Sequence, residues 1–164
     1  MKILVVSDTH GDNRHYYDVL ELEKDPDMVI HCGDILGSQD ELRRAVECPF
    51  YWVPGNMDMF AAESRVKVIP VAGHTIYVAH GHEHGVRMGT EVLASAALSE
   101  DADIALFGHT HIPEIDNSYE SEYGVRIMNP GSLSQPRQAD RRPSYGLILI
   151  DEDGAAELKL KYLT

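Results

Sequence analysis

Cysteine is scarce in this sequence, with only two among 164 residues. Cys32 and Cys48 lie far apart and form no Cys-x-x-Cys pair, which excludes a zinc finger and a disulfide framework. We expect both to be small apolar side chains in a reducing compartment. A hydrophobic core must therefore stabilise the chain, and a chain of this length can bury about two thirds of its unfolded surface in one domain.

Basic residues and long hydrophobic runs are also few. Lysine and arginine number 14 against 27 acidic residues, a formal net charge of -13, which disfavours strong binding to nucleic acid. Bound cations would still admit a small phosphate ester to one cleft. The first apolar run, Ile3 to Val6, is too short for a signal peptide, and no later run approaches membrane-spanning length. We therefore expect a cytoplasmic protein that does not bind membranes.

Short apolar runs alternate with polar loops and helical segments in the first half of the chain, a pattern typical of parallel βαβ units. The second half is richer in strands. The expected strands are 2–6, 28–32, 50–53, 66–70, 75–79, 104–107, 112–119, 124–128, 145–150 and 155–162, and the expected helices are 13–24, 39–46 and 90–98. Together they predict an α/β fold of two packed sheets with helices outside, in a single domain over residues 1–164.

Two histidines, His109 and His111, follow the apolar run that ends at Phe107. Side chains two residues apart in extended backbone point the same way, so both imidazoles would face the end of one sheet. Neutral imidazoles are good ligands for divalent transition metals. Taken alone, the pair fits a polar turn with two solvated histidines equally well, and partners elsewhere in the chain must decide.

Other strand ends supply such partners. Carboxylate, amide and imidazole side chains directly follow four further apolar runs, and they are Asp8, His10, Asp34, Asn56 and His80. Each alone is compatible with a helix cap, a turn former or a strand-end histidine. With the histidine pair they make seven donors, about what two metal ions need if one carboxylate is shared. The sequence therefore predicts a metal site where the strands end.

The order of five motifs, Asp-x-His, Gly-Asp, Gly-Asn-x-Asp, His-Gly-His and Gly-His-Thr-His, resembles that of the calcineurin-like metallophosphoesterases. The resemblance is strongest to their small single-domain phosphodiesterase branch, which is related in fold to the retromer subunit. Asn129 to Ser132, with Pro136-Arg137 after it, is similar to a further signature of that branch. The resemblance covers Met1 to about Tyr145. It implies a four-layer αββα sandwich, in which two mixed β-sheets are flanked by helices and the metal site lies at the sheet edge.

The resemblance also implies a role for each ligand. One ion would be held by Asp8, His10 and His111, the other by Asn56, His80 and His109, and Asp34 would bridge them. Two divalent ions are expected, with manganese favoured, although nickel, iron, cobalt and zinc also suit oxygen and imidazole ligands. A hydroxide bridging both ions would attack phosphorus in line. The implied enzyme is a dimetal phosphoric diester hydrolase.

One position departs from this resemblance. Many relatives carry a histidine after the Gly-Asn pair that protonates the leaving oxygen, but this chain has Met57 there, and a thioether cannot donate a proton. We therefore expect small aryl or nucleotide-type phosphodiesters as substrates, or His82 as the replacement acid. Asp58 is expected to orient a ligand histidine or the acid. Asn56 and Arg137 are the candidate substrate contacts.

Two other functions are compatible with the sequence. The retromer subunit has the same fold with degenerate ligands, so a non-catalytic scaffold or protein-interaction module is one alternative. Its weakness is that a scaffold has no need of seven intact donors. A small nuclease is the other, and the lack of a basic groove argues against it. The apolar stretch around Val66 to Val71 is a weak indication of a homo-oligomer.

Overall fold

Ten strands, four α-helices and one short 3-10 helix (His82–His84) make up the protein, as described by a computed structural model covering residues 1–164. The strands are β1 (Lys2–Val6), β2 (Met28–His31), β3 (Phe50–Trp52), β4 (Val66–Val71), β5 (His74–Ala79), β6 (Ile104–Leu106), β7 (Glu114–Asp116), β8 (Arg126–Asn129), β9 (Ser144–Ile150) and β10 (Ala156–Tyr162). The helices are α1 (Arg14–Glu23), α2 (Gln39–Arg44), α3 (Glu91–Ser99) and α4 (Glu120–Tyr123). No helix is long and apolar enough to cross a bilayer.

The strands form two mixed five-stranded sheets. The first has the order β10-β9-β1-β2-β3 and the second the order β4-β5-β6-β8-β7. In the first sheet β1, β2 and β3 run parallel, while β9 and β10 are antiparallel. In the second, β5, β6 and β8 run parallel between the antiparallel edge strands β4 and β7.

Alternating side chains sort the core into layers. On β1, Ile3 and Val5 contribute to the apolar cluster between the two sheets, whereas Leu4 and Val6 contribute to the cluster on the opposite face. This is the period-two alternation expected of a strand. Both faces of β1 are buried, because helices cover the outer face of each sheet.

Helices supply the two outer layers. Tyr16 and Val19 of α1 and Leu42 of α2 pack on the outer face of the first sheet. Leu93 and Ala97 of α3 pack on the outer face of the second sheet. The order helix, sheet, sheet, helix is the four-layer αββα sandwich, so the fold expected from the motif series is confirmed.

One predicted strand is shorter than expected, and one α-helix was not predicted. Strand formation was expected over 112–119, but β7 spans only Glu114–Asp116. Pro113 has no N–H to donate to a neighbouring strand, and the Asp116 carboxylate accepts a hydrogen bond from the Ser118 N–H at 2.8 Å. That side-chain turn ends the strand early. Helix α4 follows within a few residues.

A fully buried histidine, His31, joins the first two loops beneath the site. Its Nε2–H donates to Thr9 Oγ at 3.0 Å, and its Nδ1 accepts from the Gly33 N–H at 3.1 Å. Both ring nitrogens are thus used by the neutral imidazole. Burial lowers the pKa of His31 to about 4, against nearby carboxylates that act to raise it.

This shift predicts acid lability. The unfolded chain protonates His31 below about pH 6.5, while the folded chain does so only near pH 4, so the free energy of unfolding falls as pH drops through that window. The expected contribution is about 3 kcal/mol. Urea titrations of metal-free protein at several pH values should show a flatter dependence for His31→Gln than for wild type. An unchanged slope between pH 4 and 6.5 would contradict the assignment.

Candidate metal centre

The seven predicted ligands follow five strands of the two sheets. Asp8 and His10 follow β1, Asp34 follows β2, Asn56 follows β3, His80 follows β5, and His109 and His111 follow β6. In the first sheet β1, β2 and β3 run parallel to one another, and in the second sheet β5 and β6 do so. Their carboxyl ends therefore meet at one edge. Sequence positions up to about a hundred residues apart are thereby brought together.

A first group of donors gathers around Asp8. The ligand atoms of Asp8, His10, Asp34 and His111 all lie within 4.8 Å of one another. His111 Nε2 is 3.1 Å from Asp8 Oδ1 and 3.2 Å from His10 Nε2. Two carboxylates and two imidazoles with converging lone pairs form a set that suits a divalent transition metal.

A second group of donors gathers around Asn56. Its Oδ1 is 3.2 Å from His80 Nε2 and 3.0 Å from His109 Nδ1. The side-chain oxygen of an amide and two imidazole nitrogens thus meet at one point. The structure brings together all three residues that were expected to share an ion.

Asp34 connects the two groups. Its Oδ2 lies 3.8 Å from His10 Nε2 in the first group and 3.4 Å from His80 Nε2 in the second. Its Oδ1 accepts a hydrogen bond from the Met57 N–H at 2.9 Å, which fixes the carboxylate plane. One oxygen of Asp34 is therefore placed where a ligand shared by two cations would lie.

The donors are oriented for a cation by their other contacts. The Nδ1–H of His80 donates to the Cys32 carbonyl and that of His111 to the Gln135 carbonyl, both at 2.7 Å. Their Nε2 lone pairs consequently face the carboxylates. A histidine that binds a metal is commonly oriented in this way, by donating its other ring N–H to a carbonyl or carboxylate. Asp8 Oδ2 accepts from Ser7 Oγ and from the His109 N–H, while buried Asp8 Oδ1 has no hydrogen-bond partner. A buried carboxylate oxygen without a donor fits a metal ligand.

Electrostatics keep both carboxyl groups ionised. Burial acts to raise the pKa of Asp8, but the close contacts with the imidazoles of His10 and His111 outweigh it, so the pKa lies well below its usual range. At Asp34, burial likewise acts to raise the pKa, but the contact with His80 outweighs it, so the pKa of Asp34 is also lowered. Burial, and then the charge of His80, lower the pKa of His109 to about 4. Neutral His109 has a lone pair to offer.

Backbone strain is concentrated at the ligands. Five of the seven have a left-handed backbone that L-residues rarely adopt, with φ of 53° at Asp8, 46° at His10, 55° at Asp34, 68° at His109 and 60° at His111. Each such residue costs on the order of 1 kcal/mol and persists only where its surroundings fix it. Strain at these positions is typical of a functional site.

Two glycines allow the ligand loops to approach each other closely. A Cβ added at Gly55 would overlap Asp34 Oδ1, and one added at Gly108 would overlap Ser7 Oγ and lie 2.6 Å from Asp8 Oδ2. Any larger residue would have to displace a carboxylate that belongs to the site. The Gly-Asn and Gly-His motifs therefore need glycine for space.

A supporting network contributes residues to which sequence analysis assigned no role. Asn129 Nδ2 donates to the Gly108 carbonyl at 3.0 Å and to Thr110 Oγ at 2.9 Å. The hydroxyls of Ser132 and Ser134 both donate to the Asp8 carbonyl, at 2.8 and 2.9 Å. These bonds hold the two strained loops that carry Asp8 and His109. The Asn-Pro-Gly-Ser motif was the available signal, although its sequence did not reveal this task.

Asp58 and His82, the residues expected to assist catalysis, differ in their contacts. Asp58 accepts hydrogen bonds from the backbone N–H groups of Gly55, Ile35 and Leu36, at 2.8, 3.2 and 2.8 Å. None of its hydrogen bonds reaches a histidine, so it ties two ligand loops together instead of orienting a ring as expected. The ring of His82 lies 5.4 Å from that of His80, beside the second donor group.

Arg137 is linked to the first donor group through its backbone. Its backbone N–H donates to the His111 carbonyl at 3.0 Å, and its side chain is exposed. The guanidinium makes no ion pair with any carboxylate of the chain. It is therefore free to meet an anion that approaches the first donor group.

Comparisons with known proteins agree with this geometry. The profile of the calcineurin-like phosphoesterase superfamily domain matches residues 1–153, and the chain belongs to this family. It is 34% identical over 157 residues to the probable metallophosphoesterase YsnB of Bacillus subtilis, covering 94% of this chain and 88% of the relative. A probable metallophosphoesterase of Mycoplasma pneumoniae is 31% identical, covering 98% of this chain and 97% of the relative. The homologues support a phosphoesterase hydrolase.

Solved structures extend the comparison. A predicted phosphoesterase from Streptococcus pneumoniae superposes with a TM-score of 0.78 at 29% identity, covering 99% of this chain and 97% of its own. Vps29 from Entamoeba histolytica in complex with zinc superposes with a TM-score of 0.75 at 22% identity, covering 99% of both chains. The second likeness extends to the fold alone.

The two donor groups predict separable metal sites. We expect about two manganese ions per wild-type chain, about one in Asn56→Ala and in His10→Ala, and the weakest binding in Asp34→Ala, because one oxygen of Asp34 lies between the two groups. Elemental analysis after desalting measures this. Asn117→Ala, in an exposed turn, is the matched control and should retain the wild-type content. Two ions retained in Asn56→Ala would contradict the assignment.

Proposed function

We propose that the protein is a metal-dependent phosphodiesterase that hydrolyses small aryl or nucleotide-type phosphodiesters. The observation that carries this proposal is the convergence of two ionised carboxylates, four imidazoles and an amide oxygen, with Asp8 Oδ1 buried and unpartnered among them. Membership of the phosphoesterase family supports the reaction class. The restriction to diesters rests on the residues beside the donors.

The donors divide between two divalent ions, with manganese as the favoured metal. One would be held by Asp8, His10 and His111, the other by Asn56, His80 and His109, with Asp34 shared. When bound, such ions polarise phosphoryl oxygens and lower the pKa of a coordinated water. The protein contributes fixed ring orientations through the two carbonyl contacts described above and a carboxylate pair that needs no reorganisation during reaction.

Leaving-group protonation is the weak point of this site. Met57 stands beside Asn56 and cannot donate a proton. His82 is the nearest remaining candidate acid, with its ring 6.1 Å from that of His109. Burial and the neighbouring His80 lower the pKa of His82, so its protonated form is scarce at neutral pH. Stable leaving groups such as phenolates are therefore favoured.

Substrate charge also favours diesters. A phosphodiester carries one negative charge, whereas a monoester near neutral pH carries about two, and the protein itself has a formal charge of -13. We assign Arg137 and Asn56 to contact the phosphoryl group. One exposed guanidinium and an amide suit a singly charged group better than a doubly charged one.

The direct test compares bis(4-nitrophenyl) phosphate with 4-nitrophenyl phosphate as substrates of manganese-loaded protein. We expect kcat/KM for the diester to exceed that for the monoester at least tenfold, complete loss with a chelator, and a decrease of at least a hundredfold in Asp8→Asn. Monoesterase activity alone would contradict diester specificity. Retention of metal without hydrolysis of either ester would favour the scaffold alternative.

A histidine at position 57 should restore acid assistance. In Met57→His we expect kcat for diesters with an alkoxide leaving group to rise tenfold or more, and little change for 4-nitrophenolate, which departs without a proton. Single-turnover rates measure the chemical step. Met88→His, at a methionine that is also exposed, controls for an added imidazole. An equal gain for both leaving groups would argue that acid assistance is not what this position lacks.

A further inference from the structure

Four apolar side chains lie exposed beside the metal centre. They are Leu36, Met57, Met59 and Phe60, here called the apolar ledge, and Phe60 is 95% exposed and Met59 71% exposed. An isolated exposed apolar residue needs no explanation, but a contiguous patch next to a polar site marks a binding surface. The apolar ledge is therefore a candidate for contact with a ligand.

The apolar ledge is fixed directly to the ligand loops. Met57 donates its N–H to Asp34 Oδ1 at 2.9 Å, and Leu36 donates its N–H to Asp58 Oδ1 at 2.8 Å. The Ala61 N–H donates to the Asp58 carbonyl at 3.1 Å, which turns the chain at Phe60. A group bound to the metal ligands would thus have the apolar ledge as its neighbour.

A hollow of about 370 Å³ opens along the apolar ledge, a size that falls within the range of small-ligand sites. Trp52, the single tryptophan of the chain, lines it together with Gln39 and Asp58. The carboxylate of Asp58 already accepts three backbone N–H bonds, and most of the other residues that line the hollow are apolar. The hollow therefore favours an uncharged, flat group over a charged one.

We propose that the apolar ledge binds the aromatic substituent of the phosphodiester substrate, with Phe60 and Met59 as specificity-determining residues. This inference rests on the proposed function, because it places the phosphoryl group at the metal centre. A second copy of the chain is the competing occupant. It is disfavoured because two copies, each with a formal charge of -13, repel one another.

The test uses two singly charged phosphinates that cannot be hydrolysed and differ in their apolar part. We expect manganese-loaded protein to bind methyl(4-nitrobenzyl)phosphinate about tenfold more tightly than dimethylphosphinate in calorimetry, because one ring buries apolar area. The nitrobenzyl group should also quench Trp52 fluorescence in a saturable manner. In Phe60→Ala the tenfold preference should fall to about twofold, and Phe60→Tyr, which keeps the ring, should retain it.

Two controls separate the outcomes. Leu22→Ala, at an exposed leucine of α1, should leave the preference and the quenching unchanged. A preference that survives in Phe60→Ala, while the diester is still hydrolysed, would overturn the apolar ledge but not the proposed function. Sedimentation equilibrium showing a dimer that Phe60→Ala dissociates would assign the apolar ledge to a second copy and also overturn the proposal. If wild-type protein neither binds the phosphinates nor hydrolyses the diester, both the apolar ledge and the proposed function are overturned.

Discussion

Two buried carboxylates that face imidazole lone pairs impose the constraint on which the structure depends. Asp8 and Asp34 are almost inaccessible to water, yet Asp8 Oδ1 receives no hydrogen bond and Asp34 Oδ2 faces rings from both sheets. Burial of such charge is unfavourable unless cations balance it. The Nδ1–H contacts of His80 and His111 with backbone carbonyls turn their Nε2 atoms towards Asp34 and Asp8, an arrangement that suits bound cations.

The rest of the fold holds this arrangement in place. Left-handed backbone at five ligands has an energetic cost, and the surrounding structure must overcome it. Asn129, Ser132 and Ser134 bind the two ligand loops from behind, and the carboxylate of Asp58 joins two others. Parallel strands packed on both faces supply the rigid base from which these loops emerge. Stability elsewhere in the chain thus sustains strain at the site.

Much of this organisation could be predicted from the sequence, because apolar runs that stop at a polar residue identify the carboxyl ends of strands. Asp34 after β2 and His80 after β5 were assigned in this way, and the structure places both beside the other donors. What the pattern could not reveal was contacts made by the backbone. Asp58 was expected to orient a histidine, yet it accepts hydrogen bonds from backbone N–H groups. The presence of a carboxylate in the sequence does not distinguish these two roles.

The remaining differences have local causes. The strand expected over 112–119 is shortened by Pro113 and by the side-chain turn at Asp116, and tertiary pairing decides how much of such a β-prone segment joins the sheet. The function of Asn129 was hidden because its partners, Gly108 and Thr110, lie on another loop. Sequence order carries little information about such distant contacts.

Anomalous diffraction from a manganese-soaked crystal tests the central claim most directly. We predict two peaks roughly 3.5–4 Å apart, the usual spacing of a dimetal site. One peak should contact Asp8 Oδ1 and the other Asn56 Oδ1, and both should contact Asp34 Oδ2. A single peak, or peaks away from these oxygens while the fold is intact, would contradict the view that the protein is organised around a shared pair of cations.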